Sequence, residues 1–96
     1  VEIKMMNFGG IDVLEQQGLT KMPQEAATAW SAFDGTMTGA GYKPIAYVGK
    51  QVVKGVNHIF LAEQTLITAN PERHIVAVKI NEFEGNHNIL AIERIF

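Results

Sequence analysis

From Ile45 onward the chain carries four β-forming segments, "IAYVGKQVVK", "VNHIFLAEQTLIT", "HIVAVKINE" and "NILAIERIF", all rich in Val, Ile, Phe and Tyr. Only Gly55, "ANPER" and "FEGNH" separate them. A parallel crossover needs about a dozen residues or more, so connections this short make each strand run antiparallel to the one before it. Alternation sets the facing. Val76, Val78 and Ile80 oppose Ile75, Ala77 and Lys79, and Leu90 and Ile92 oppose Ile89 and Ala91.

One helix is expected ahead of these strands, from Pro23 to Asp34. Pro23 suits a first helical turn, where its missing N–H costs nothing, and Glu25 lies close enough to the N-terminus to favour the helix dipole. Ala26, Trp30, Phe33 and Met37 recur at helical spacing and make one apolar face, with Gln24, Thr28 and Ser31 away from it. Gly35 then reads as the residue past the C-terminus. The glycine-rich "GTMTGAGYKP" reads as a mobile connection, and "IDVLEQQGLTK" as coil, so regular structure is expected from about Met22. One helix covers one face of a sheet. The expected fold is therefore α+β, a single domain over residues 1–96 with one helix packed on a twisted antiparallel sheet of four to five strands.

Composition narrows the function classes. Apolar residues at 47% and charged residues at 19% are those of an ordinary globular chain. A net charge of -2 with eight Lys plus Arg lacks the basic footprint of a nucleic-acid binder. No run of about 18 apolar residues marks a membrane span, and "VEIKMMNF" is too short and polar for the core of a signal peptide. The absence of cysteine removes disulfides, thiolate zinc sites and thiol nucleophiles together, and fits a reducing compartment. A cytoplasmic location is expected, with a trimmed secreted form as the alternative.

His58, His74 and His87 fall on different strands or loops with no helix-spaced pair, so they read as isolated strand or surface residues rather than metal ligands. Ser31 has no His or acid at a diagnostic spacing, and "GTMTGAG" lacks the lysine of a phosphate loop. Neither catalysis nor a cofactor is expected.

The strand order puts "VVKG" and "FEGN" at one end of the sheet and "NPER" at the other. The segment around Gly9 and Gly10 reaches that same first end if it pairs or packs on the sheet before the helix. Three loops would then share one edge.

"QVVKG" matches the Gln-x-Val-x-Gly signature of the cystatins through Gln51, Val53 and Gly55. The surroundings resemble that family too. An N-terminal glycine, Gly9 or Gly10, stands about forty residues before Gln51, one helix follows it, and "KINEFEGNHNILAIERIF" is similar to the family's second hairpin and last strand. The lack of cysteine resembles the disulfide-free stefin branch. What the resemblance implies is reversible, tight inhibition of papain-like cysteine peptidases by a wedge of three elements. Met6, Asn7 and Phe8 would lie along substrate subsites, with Gly9 or Gly10 bending the chain away from the catalytic thiol. Gln51, Val52, Val53, Lys54 and Gly55 would form the first loop, and Phe83, Glu84, Gly85 and Asn86 the second.

Val52 and Val53 at a hairpin tip have no core to enter, Gly55 supplies backbone angles other residues adopt only with strain, and Gln51 can hydrogen-bond across the loop. The second loop departs from the family pattern: it has neither the stiffening proline nor the anchoring tryptophan, and Glu84 puts a charge where an apolar contact is usual. The bland alternatives are a plain hairpin at "QVVKG" and a Phe83 that packs on the sheet. The rival functional reading is a cystatin-fold interaction domain that inhibits nothing. A small-molecule carrier would need a pocket that one helix on a short sheet hardly leaves. A monomer is expected, with a dimer swapped through the opened first hairpin as the alternative state.

Overall fold

A computed structural model of the chain describes residues 5–8, 11–14, 22–34, 36 and 39–96. In chain order the elements are β1 (Met5–Phe8), β2 (Ile11–Leu14), α1 (Gln24–Asp34), β3 (Ala40–Val53), β4 (Gly55–Leu66), β5 (Arg73–Phe83) and β6 (Asn86–Arg94). The strands form one sheet in the order β1-β2-β3-β4-β5-β6, and every neighbouring pair is antiparallel. The four long strands with α1 packed against them make an α+β arrangement.

The helix begins where Pro23 leads. Its carbonyl accepts the Ala27 N–H at 3.0 Å, which closes the first turn. At the other end the Phe33 carbonyl accepts both the Thr36 N–H at 3.0 Å and the Thr36 hydroxyl at 2.8 Å, so an otherwise orphaned acceptor is satisfied. Gly35 and Met37 lie outside the described residues. Ala26, Ala29, Trp30 and Phe33 are the buried helical side chains, one stripe at spacings of three and four.

That stripe meets the sheet face carrying Tyr47, Phe60, Ala62, Val76, Val78 and Ile80. Pairing puts these on one level after another, with Phe60 opposite Val78 and Ala62 opposite Val76. The Trp30 ring lies 5.0 Å from Phe33 and 5.2 Å from Phe60, tilted at each contact, which is the favoured geometry of aromatic pairs. Val76, Val78 and Ile80 thus face the helix, as their alternation predicts.

Three sequence expectations need correction. First, Ala40 to Pro44 is strand, not a mobile connection: Ala40 pairs with Leu66 and Pro44 with Ala62. The reason is Tyr42, whose ring packs edge-on against Phe33 at 4.9 Å and whose hydroxyl accepts from Gln64 Nε2 at 2.7 Å. These contacts hold a glycine-rich segment in the ladder. Pro44, which has no N–H to give, sits beside a register shift between Pro44 and Ala46. A second shift between Tyr47 and Gly49 adds to the local twist of β3.

Second, regular structure starts before Met22: β2 opens the stretch "IDVLEQQGLTK" expected as coil and β1 precedes it, the two paired from Met5↔Leu14 to Phe8↔Ile11, so the sheet has six strands rather than four to five. Without them β3 would present a row of unpaired backbone groups along its outer edge; Asp12 and Val13 pair there with Lys50 and Gly49. Third, Leu90 and Ile92 do not share a face. A register shift pairs Lys79 with Ala91 and Ile80 with Ile89, so Leu90 is the extra residue and is 52% exposed, while Ile92 packs against the core.

Among the described residues no helix is long and apolar enough to cross a membrane. Trp30 is the largest side chain of the helical stripe, so Trp30→Ala is expected to cost about 3–5 kcal/mol. A chemical denaturation curve checks this; a midpoint equal to the parent's would place Trp30 outside the core.

Candidate functional site

The first hairpin turns as tightly as a chain can. Val52 pairs with Val56 and Val53 with Gly55, leaving Lys54 alone at the apex. Gly55 has φ +82°, the left-handed region that glycine enters without strain. A second constraint acts at the same atom, because a Cβ on Gly55 would collide with the backbone carbonyl oxygen of Glu82 and come within 3.0 Å of Phe83 Cβ. The tip therefore rests directly on β5. Val52 and Val53 are 70% and 46% exposed there, two β-branched hydrophobes outside the core.

The second hairpin ends in a two-residue turn. Phe83 pairs with Asn86, and Glu84 and Gly85 between them have φ 51° and 79°, the left-handed pair that matches strand twist in a primed hairpin turn. Because the strands form a meander, both turns lie at one end of the sheet. They also touch: the Lys54 ammonium lies 5.3 Å from the centroid of the Phe83 ring. Phe83 is half-buried, which fits packing beside the first tip, whereas Glu84, Gly85 and Asn86 are exposed.

The third expected element stands differently. Phe8 is the last residue of β1, paired with Ile11, and so belongs to a strand rather than to a free extended arm. The register of β2 on β3, with Asp12 opposite Lys50 and Val13 opposite Gly49, puts Ile11 at the Gln51 end of that pairing. Gly9 and Gly10 lie outside the described residues.

Beneath the tips the sheet holds a polar network. His58 is 1% exposed; its Nδ1 lies 2.9 Å from the Tyr47 hydroxyl and its Nε2 3.0 Å from Glu82 Oε1. Burial, with the negative charges of Glu25 and Glu82 adding to it, holds the Tyr47 hydroxyl well above the ordinary tyrosine range. An ionised Glu82 carboxylate can only accept, so Nε2–H donates to it, and in the neutral imidazole Nδ1 is then the acceptor of the Tyr47 hydroxyl proton. His87 Nε2 lies 4.0 Å from the other oxygen of Glu82. The reading of isolated histidines is thus corrected for His58 and His87, which converge on one carboxylate. The cause is the register: His58 and Glu82 lie two pairs apart on adjacent strands and so share a face, and His87 is directly opposite Glu82. His74 does remain peripheral, 3.4 Å from the exposed Glu72.

His58 and Glu82 border a cleft of about 380 Å³ under the tips, with Glu25, Lys50, Phe83 and Glu84 also on its walls. Both imidazole nitrogens of His58 are engaged inside the protein, so His58 has no free nitrogen to offer a substrate. Among the described residues no three His, Cys, Asp or Glu side chains converge as metal ligands do.

Comparison with protein-family models, with curated proteins and with solved structures finds no match. Sequence reasoning missed Asn57, whose Nδ2 donates to Gln51 Oε1 at 3.2 Å and which is only 6% exposed. A signal existed: a polar residue inside the apolar run "VNHIFLA" is affordable only with a hydrogen-bond partner.

Tyr47→Phe leaves His58 Nδ1 buried without its donor and is expected to cost about 1–3 kcal/mol near neutral pH. The pH dependence has a definite sign. The unfolded chain releases the phenol proton near the ordinary value of about 10 and the folded chain only above it, so the parent's stability is intact below that pH and falls above it. Thermal melts of parent and Tyr47→Phe from pH 7 to 11 check this; the parent should show an alkaline fall that the variant lacks.

Proposed function

We propose that this protein is a reversible inhibitor of papain-like cysteine peptidases, of the stefin-like cystatin kind, with its two hairpin tips as the inserting edge. The observation that carries the reading is the first tip. Val52 and Val53 stand exposed at the apex of a hairpin that Gly55 narrows and Glu82 supports, in the sequence "QVVKG". Exposed valines on a supported turn gain by burial in a cleft, and a turn already held in shape loses little entropy when it enters one. The second tip adds Phe83 to Asn86 at the same end of the sheet.

Two observations favour the rival reading of a cystatin-fold interaction domain without inhibitory activity. Phe8 is engaged in strand pairing, and Glu84 places an exposed charge at the second tip, so two of the three expected contacts depart from the inhibitor pattern.

Titration of papain decides between the two. Loss of peptidase activity at nanomolar to micromolar protein supports the inhibitor, and full activity at high micromolar protein rejects it. Val53→Asp is expected to weaken inhibition by about tenfold or more, some 1.4 kcal/mol, by forcing a carboxylate into the apolar cleft. Its melting midpoint should match the parent's, since Val53 lies outside the core. Equal potency would remove the tip from the mechanism.

A further inference from the structure

Three polar side chains stand at one level on adjacent strands. Gln51 pairs with Asn57 across β3 and β4, and Asn57 pairs with Asn81 across β4 and β5. Their amides join in sequence. Asn81 Nδ2 donates to Asn57 Oδ1 at 2.9 Å, and Asn57 Nδ2 donates to Gln51 Oε1 at 3.2 Å. Asn81 Nδ2 also lies 3.2 Å from the carbonyl oxygen of Lys54, the apex of the first tip.

We infer that Asn81, a residue of neither tip, is the positioning residue of the first tip, fixing both the Lys54 carbonyl and the direction of the Gln51 amide. The Lys54 carbonyl and Asn57 Oδ1 are both acceptors, so the group between them must supply two protons from one position, as an amide nitrogen does. With Asn81 oriented in this way, Asn57 Oδ1 is engaged and its Nδ2 is the end that faces Gln51. Gln51 must then turn its Oε1 inward, so its NH₂ group points away from Asn57, available to a carbonyl acceptor on a partner. One amide on β5 thus sets the hydrogen-bond polarity of a residue two strands away.

The inference rests on the inhibitor reading for its functional consequence, although the positioning itself is a property of the free protein. Asn81→Asp keeps the size of the side chain but opposes two acceptors with a carboxylate, and Asn81→Ala removes the donor without adding charge. The experiment measures three things on the parent and both variants: amide hydrogen exchange, the NMR signals of the Gln51 side-chain NH₂, and the association and dissociation rates with papain. The expected result is faster exchange confined to Lys54, Gly55 and Val56, shifted Gln51 signals, and dissociation about tenfold faster with association little changed. If exchange rises uniformly across the sheet, or if tip exchange and Gln51 signals stay at parent values, the inference is overturned. A parent that does not bind papain removes the inhibitor reading, while exchange and Gln51 signals in the free protein still decide whether Asn81 positions the tip.

Discussion

The end of the sheet that carries both hairpin tips depends on one close approach, between Gly55 and the backbone carbonyl of Glu82. No side chain fits between them, and the positive φ of Gly55 makes the same demand independently. A narrow apex and a supported apex therefore have the same cause. The approach lets β4 stay in the ladder up to Val56 opposite Glu82, where Asn81 Nδ2 and the Phe83 ring then meet the Lys54 carbonyl and ammonium.

Glu82 joins this edge to the core. Its main chain supports Gly55, and its carboxylate accepts from His58, which Tyr47 in turn holds from the other side. A buried imidazole costs free energy unless each nitrogen has a partner. Here both do, and the partners come from β3 and β5, on either side of the strand that carries it. The aromatic cluster of Trp30, Phe33 and Phe60 sits on the same sheet face, so helix packing, the histidine pair and the tip form one mechanical sequence.

How much of this was legible depended on the range over which each signal acts. The meander, the helix from Pro23 to Asp34, the facing of Val76, Val78 and Ile80 and the exposure of Val52 and Val53 follow from periodicity and short connections, which are local. Leu90 was misplaced because a bulge is a property of two strands together, and neither strand shows it alone. Ala40 to Pro44 looked mobile from its glycines, but the long-range partners of Tyr42, Phe33 and Gln64, decide its state. The same holds for the histidines: His58 and His87 lie 29 positions apart in the chain, and only the register brings both to Glu82. At the site, "QVVKG" was readable as a tip, whereas its support by Glu82 and by the amides of Asn57 and Asn81 was not.

The central claim is that the two tips together form the contact surface for a peptidase. Amide hydrogen exchange of the protein with and without bound papain tests this most directly. The account predicts slowed exchange in two segments at once, Gln51 to Gly55 and Phe83 to Asn86. Protection centred instead on the edge strand β6 beyond Ile89, with both tips exchanging as in the free protein, would contradict it.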